Sequence, residues 1–544
     1  MTVTCEGSEL LDENHDWPTH GTYEYAHLYS SRKQITAFDS VSSEGILSSA
    51  FDYVVIGAGP IGSALAFKLA ADHPTRRILL VEKNWSEPDR IVGELMQPAG
   101  CQALERLGLK NAFSGIEAVP AHGYFISYRG KQLYVPYPES PRGSRFKGAS
   151  FHHGRLVMNL RAACKAMENV TCLEASVTEL LGHYEDNELR EVRGVSVGPA
   201  RDSGDGPRAT EHAVYPTRLT FVCDGITSQF RRSLNPKPVE LISHFCGFVL
   251  EHEPVDSAQF FTGPTGAITH TARPTSSAAN PLPMPHNGHV FLDGVGPLLL
   301  YQMSERETRV LADIPGATLA SEASGQLRQI LHDSLSRAVP KHDFPALNHL
   351  LLTTLAQARR IRCIGSKFIP ATANKIPGAI WIGDSLNVRH PLTGGGMTIG
   401  LWDIVHLTDL LRTPATLAQV KAQWYWLRRP RALVVNTLSV ALHSLFAAET
   451  KELGLLREAC FIYLSRGSHF TMHPSGFLSG LLPSPLLLIY HFFSVALLAV
   501  KLRVLNISTA YSDGSFPVRV YSAFYTLFVA ASVILPFLWE ELQP

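Results

Sequence analysis

A chain of 544 residues exceeds what one hydrophobic core organises, so two or three domains are expected. Lys+Arg and Asp+Glu both number 48, and the resulting zero net charge offers no basic face of the kind that nucleic-acid binding requires. Charged residues make up 18% of the chain, below the roughly 25% of an ordinary soluble domain, so part of the molecule is expected to face something other than water.

Residues 1–50 mix Asp, Glu, His and Ser without the apolar stretch of a secretory signal and read as a mobile polar tail. Phe51-Asp52-Tyr53-Val54-Val55-Ile56 is a short β-branched apolar run and predicts a buried strand. A glycine turn, a helix from about Ser63 to Asp72 and a strand at Ile78–Glu82 complete a β-α-β unit that opens a doubly wound sheet. Gln97 to Leu107 predicts a helix closed by Gly108. Residues 121–150 alternate Tyr, Phe and Ile with polar residues and Pro, which predicts strands and loops, and Arg155 to Met167 is helical in pattern. The Gly-, Asp- and Glu-rich stretch 182–212 predicts a hairpin with a loose tip, and Leu219–Cys223 another buried strand. Residues 240–360, with a Pro/Ser/Asn-rich insert near 273–288, read as a sheet-rich substrate domain. Ala379–Ile382 predicts one more strand, leading through a glycine-rich turn into a helix that ends near Leu411.

The last hundred residues differ in character. Neither Gly476–Val500 nor Val520–Trp539 contains Asp, Glu, Lys or Arg, and each approaches the roughly 20 residues that cross a bilayer. Pro483, Pro485 and His491 interrupt the first segment and Pro536 the end of the second, which favours a helical pair lying in one leaflet over two spanning helices. Arg428, Arg429 and Arg431 nearby read either as lipid-headgroup contacts or as a solvated helix face. The 8 cysteines are scattered without a C-x-x-C pair, so no zinc site and no dense disulfide framework is expected.

Gly57-Ala58-Gly59-Pro60-Ile61-Gly62 is a G-x-G-x-x-G that follows a strand and opens a helix. It brings backbone N–H groups to a pyrophosphate, and Glu82, ending the second strand, is placed to accept ribose hydroxyls. Cys223-Asp224-Gly225 and Gly383-Asp384 end two later strands, the second leading into Leu392-Thr393-Gly394-Gly395-Gly396-Met397. This ordered triple resembles the FAD-dependent hydroxylases of the p-hydroxybenzoate hydroxylase type, which implies that Asp384 holds the ribityl hydroxyls. Three longer blocks, Glu87 to Pro98, His152 to Arg161 and Arg389 to Thr398, resemble the squalene epoxidases, and the resemblance runs from about Tyr53 to about Trp539.

That resemblance implies an α/β fold: a Rossmann-like FAD-binding domain discontinuous over 51–120, 151–240 and 361–445, a β-sheet substrate domain over 121–150 and 241–360, and a C-terminal apolar helical membrane region over 446–544. It implies FAD contacts by Gly57, Gly59, Pro60, Ile61, Gly62, Glu82, Lys83, Arg90, Leu95, Arg155, Asp384, Gly395 and Met397. Arg161 is left as structural. Gln97 and Tyr124 match a polar pair beside the family's substrate and inhibitor pocket; a core Tyr satisfied by a Gln is the alternative. The implied reaction is FAD- and O2-dependent epoxidation of squalene through a flavin C4a-hydroperoxide, in sterol biosynthesis. Electrons would come from NADPH through a separate diflavin reductase, at the cytosolic face of the endoplasmic reticulum membrane. Such oxygen transfer needs a dry pocket but no protein acid or base and no metal, so His390 is read as a loop organiser. The alternative is a membrane-attached flavin monooxygenase acting on another isoprenoid or an aromatic substrate.

Overall fold

The computed structural model describes residues 51–199, 212–254, 281–448, 450–508 and 514–542. The N-terminal tail, the expected loose tip beyond residue 199 and the first half of the Pro/Ser/Asn-rich insert lie outside the described residues. The helices are α1 (Pro60–Asp72), α2 (Pro98–Arg106), α3 (His153–Lys165), α4 (Arg231–Leu234), α5 (Gln326–Ala338), α6 (Pro345–Gln357), α7 (Gly396–Leu411), α8 (Leu417–Ala447), α9 (Lys451–Leu464), α10 (His469–Leu478), α11 (Pro485–Val504) and α12 (Phe516–Leu542).

One sheet is built on the expected β-α-β unit. Val170–Glu174, Ile78–Glu82, Phe51–Ile56 and Ala213–Val222 run parallel in that order, and Ala379–Trp381 adds in parallel to the last. Val54, Val55, Leu80, Phe221 and Ile380 have no more than traces of exposed surface. That fits a parallel sheet covered on both faces. α1 starts at Pro60 rather than Ser63, because a proline at the first helical position lacks only an N–H that has no partner there. The hairpin expected within 182–212 lies earlier, over 176–198. Ser176–Glu185 and Glu188–Gly198 turn at Asp186 and Asn187, both left-handed (φ 50° and 63°), as a two-residue hairpin turn requires.

The second sheet has seven strands: Arg362–Phe368, Glu240–Glu251, Glu307–Pro315, Leu298–Gln302, Gly288–Phe291, Gly123–Tyr128 and Lys131–Pro136. Residues 240–360 are not only sheet. α5 and α6 bury Leu327, Leu331, Leu347 and Leu351 against one face of it, on a core separate from that of the parallel sheet. Within 121–150, only Gly123–Pro136 joins this sheet. Gly148–Ser150 pairs with Leu95–Met96 on one side and Val119–Ala121 on the other in a small third sheet.

α8 to α12 close the other face. α11 and α12 are long and apolar enough to cross a membrane, with mean hydropathy 1.9 and 1.8. Each buries one side against the protein: Leu488, Ala496 and Ala499 on α11, and Ala530 and Ile534 on α12. The other side carries Leu486, Tyr521, Phe524, Phe528 and Trp539, all strongly exposed. The arginines near this region turn inward. Arg428 pairs with the buried Asp403 at 3.0 Å, Arg429 donates to the Glu541 carbonyl, and Arg431 donates to the Gly480 carbonyl and lies over the Trp402 ring. They therefore face neither lipid headgroups nor solvent, since the helices that follow in the chain fold back over them.

Candidate active site

The three glycines of the first turn do three different things. Gly57 is left-handed (φ +96°), and a side chain there would strike the Cys223 carbonyl at 2.6 Å. A side chain on Gly62 would meet the Gly57 carbonyl at 1.8 Å, so this glycine lets α1 sit close on the strand. A side chain on Gly59 would meet nothing within 4 Å, so open space lies where a pyrophosphate would approach. No side chain caps α1, which leaves its first N–H groups available. Glu82 accepts from the Ala58 N–H at 2.8 Å and the Asn84 N–H at 3.2 Å, which fixes its carboxylate beside that space. Arg161 braces the same turn, donating to Ala58 O and Ser86 O at 2.9 Å each, in keeping with a structural role.

Asp384 sits between the two strand-end turns. Arg231 donates to Asp384 O at 2.8 Å, to Gly225 O and Ile226 O at 2.9 Å, and to Ser385 O at 3.1 Å, joining the Asp-Gly turn to the Gly-Asp turn. The half-buried Asp384 carboxylate lies 3.9 Å from where a side chain on Gly396 would begin, at the N-terminus of α7. That helix also has no side-chain cap. Two uncapped helix N-termini, an open glycine and two placed carboxylates form a donor set that fits FAD: α1 and Gly59 for the pyrophosphate, Glu82 for the ribose, and Asp384 with α7 for the ribityl chain and ring. Lys83 and Arg90 are exposed, and Arg155 on α3 pairs with Glu117. Leu95 and Met397 are half-buried on the inner side.

The segment that would face the flavin ring is held from behind. Gln97 is fully buried; its Nε2 donates to Thr393 O at 2.8 Å, and its Oε1 accepts from Tyr124 OH at 2.8 Å and Tyr137 OH at 2.9 Å. Burial pushes the Tyr124 phenol up to about 12, against the opposing hydrogen bonds to Tyr137 and Gln97, so it remains a donor. On the other side Glu94 is buried and accepts both Arg309 Nε and Nη2 at 2.8 Å, with Tyr301 OH at 3.2 Å. Burial and the Glu94 charge hold the Tyr301 phenol well above its ordinary range.

Two cavities meet at this segment. The smaller one is lined by Gly93, Glu94, Tyr301, His289 and Gly394. The larger holds about 1140 Å³ of space, counting its open mouth, and its walls are almost wholly apolar. They share Tyr124, Val290, Leu299 and Leu392. From there the larger cavity runs between the second sheet and α8–α11, ending among Phe477, Leu488, His491 and Phe492. Of the predicted polar pair, Tyr124 lines both cavities, whereas Gln97 lines neither and stands behind it. Sequence reasoning missed Arg231, Arg309 and the helical wall. An arginine whose partners lie up to 215 residues away carries no local signal.

A parallel sheet with a glycine turn at the end of a central strand, an Asp at a second strand end and a second, mostly antiparallel sheet beside the cradle is the fold of FAD-dependent monooxygenases. Solved structures agree at this level. A probable FAD-dependent monooxygenase from Pseudomonas aeruginosa superposes with TM-score 0.53 at 18% identity, covering 74% of this chain and 98% of that one. Klebsiella pneumoniae HpxO, complexed with FAD and uric acid, gives 0.55 at 17% identity, covering 80% and 97%.

Sequence relatives narrow this further. The squalene epoxidase family profile matches residues 216–260 and 267–514. A squalene epoxidase of Candida albicans is 36% identical over 538 residues, covering 90% of this chain and 99% of its own length. The mouse squalene monooxygenase is 35% identical over 501 residues, covering 90% and 78%. The chain belongs to the squalene epoxidase family.

Proposed function

We propose that this protein binds FAD and, with O2, epoxidises a terminal double bond of squalene to 2,3-oxidosqualene. The observation that carries the reading is the large apolar cavity joining the FAD-fitting cradle at Leu392 and Thr393 to the apolar helices α8–α11. A hydrocarbon of this size offers no polar group to recognise, so shape and apolar area must supply its affinity. The bound cofactor supplies the electrophilic oxygen. Gly59, the N-termini of α1 and α7, Glu82 and Asp384 hold it, with Arg90 and Arg155 at its outer end. Gln97 fixes Tyr124 and the Thr393 carbonyl, so the segment facing the ring keeps one shape. The apolar wall excludes water from the reacting end. Such oxygen transfer requires no acid, base or nucleophile from the protein.

Membership of the squalene epoxidase family supports delivery of electrons from NADPH by a separate diflavin reductase. We assign the exposed sides of α11 and α12 to a single leaflet of the endoplasmic reticulum membrane, with the rest in the cytosol. Both helices lie along the body, and Arg503 in the last turn of α11, paired with Glu452 at 3.4 Å and donating to Thr526 at 3.1 Å, ties that end of α11 to the start of α9 and to α12. The test is turnover of squalene by the FAD-loaded protein with NADPH and the reductase, products identified by mass spectrometry. Oxidosqualene that depends on the reductase and on Asp384 is the expected result. Reduction of bound FAD with squalene untouched would refute the substrate and leave other isoprenoids and aromatic acids to be screened.

A further inference from the structure

A buried polar chain lies directly behind the segment that faces the ring, and nothing in the oxygen-transfer reading uses it. The Leu392 N–H donates to His390 Nδ1 at 3.3 Å, so the ring proton is assigned to Nε2. Nε2 faces Ser243 Oγ at 2.9 Å, and that hydroxyl donates to Asp313 Oδ1 at 2.5 Å. Asp313 Oδ2 lies 3.0 Å from His443 Nδ1, close as an ion pair yet off the line of a good hydrogen bond. The His390 and His443 rings stack at 4.3 Å, 29° apart. His390 and Ser243 are fully buried, and Asp313 and His443 nearly so.

The chain joins three elements. Ser243 and Asp313 belong to neighbouring strands of the second sheet, His390 to the ring-facing segment, and His443 to α8. The helix holds that segment twice. Asn436, two turns before His443 and on the same helix face, accepts from Arg389 Nε at 2.7 Å. The same stretch of α8 presents Leu438, Leu442 and Leu445 to the large cavity, whose reacting end is Leu392 and Thr393. Asp313, His390 and His443 could together meet a cation, their ligand atoms lying within 4.8 Å of one another. Both His390 nitrogens are already committed, however, to Leu392 and Ser243.

We propose that Ser243, Asp313 and His443 are positioning residues for oxygen transfer. Through His390 they hold Leu392 and Thr393 in place at the end of the cavity, so that oxygen reaches the alkene rather than leaving as peroxide. This rests on the function proposed above. Coupled turnover consumes squalene, O2, NADPH and a proton and gives oxidosqualene, NADP+ and water. Uncoupled turnover consumes O2, NADPH and a proton and gives NADP+ and hydrogen peroxide. The chain controls the ratio between the two and not the binding of FAD.

The test compares Ser243→Ala, His443→Phe and His443→Asn with the wild type. All are full-length, FAD-loaded and supplied with reductase, NADPH and squalene. Epoxide and peroxide per NADPH, FAD affinity by fluorescence titration, and thermal unfolding are measured. Ser243→Ala, which removes the hydrogen bonds to His390 and Asp313, and His443→Phe, which removes the 3.0 Å contact to Asp313, are each expected to lower epoxide per NADPH at least about fivefold, with a matching gain of peroxide and FAD affinity within about twofold. His443→Asn, which keeps a polar donor near the Nδ1 position, recovers most of the coupling. Lower unfolding temperature with an unchanged product ratio would mean a merely structural role and overturn the proposal. So would His443→Asn as uncoupled as His443→Phe, FAD affinity falling in step with coupling, or a stoichiometric metal in the purified wild type. Absence of epoxide from the wild type would overturn the function first and this inference with it.

Discussion

Replacing Gln97 with Leu tests whether this residue organises the site from behind. The two side chains are close in volume, so the change removes polarity and leaves little cavity. It strands three groups, Thr393 O, Tyr124 OH and Tyr137 OH, in a region where Gln97 has no exposed surface. An unpaired buried polar group costs about 1–3 kcal/mol, so the variant is expected to lose about 3 kcal/mol at the lower end. Tyr124→Phe removes a single donor and leaves Gln97 Oε1 still accepting from Tyr137, for a loss of about 1 kcal/mol. The structure therefore predicts a ratio near three between the two changes. In the Gln97→Leu background, Tyr124→Phe should be close to neutral, because its partner is already gone. Urea unfolding of the FAD-loaded protein, with squalene turnover measured in parallel, gives all four corners of that cycle. Equal losses from the two single changes, or additive losses in the double variant, would refute the organising role. Loss of turnover from Tyr124→Phe alone, at unchanged stability, would instead place the phenol in contact with substrate.

Gly59→Ala should fold normally and bind FAD at least about tenfold more weakly, because its methyl enters open space that the pyrophosphate needs, whereas Gly62→Ala should be unstable because its methyl meets the Gly57 carbonyl; circular dichroism with FAD titration separates the two. Asp384→Ala is expected to weaken FAD at least about tenfold with little change in thermal stability without FAD, since its carboxylate makes no hydrogen bond among the described residues and only faces the charges of Arg231 and Arg389, and equal FAD affinity would remove it from the cradle. Phe524→Glu with Phe528→Glu should abolish co-flotation with vesicles while leaving FAD bound, and persistent flotation would place the membrane contact elsewhere. Burial lowers His153 and His289 to about 4 and His390 to about 3, so the unfolded chain binds more protons than the folded one below about pH 6.5. Stability is then fully present above that pH and is lost as pH falls toward 4. His289→Gln should flatten the urea-midpoint change between pH 7 and pH 5, and an unaltered slope would refute its share.

How far the sequence discloses this molecule depends on how local each device is. The Gly57–Gly62 turn, Glu82 and the Gly383-Asp384 pair are legible because each states its chemistry within a few residues and follows a strand that periodicity reveals. The parallel strands are legible for the same reason: buried on both faces, they read as continuous apolar runs. Arg428, Arg429 and Arg431 show where that reading stops. On the chain they are a basic cluster beside an apolar tail. In the fold, Asp403 from α7, the Glu541 carbonyl from α12 and the Gly480 carbonyl receive them, partners 25 to 112 residues away. α5 and α6 were hidden by the strand patterns around them, and they exist as helices because one face of the second sheet needs covering. Gln97 lies between these cases. Its neighbourhood in sequence marks it as part of the site. Its role follows only from a carbonyl 296 residues on and two phenols from the Gly123–Pro136 hairpin and the residue after it. A fully buried amide with every partner supplied from such distant segments specifies a loop's shape better than it contacts a ligand, and that is why the double-variant cycle, and not the loss from either change alone, decides its role.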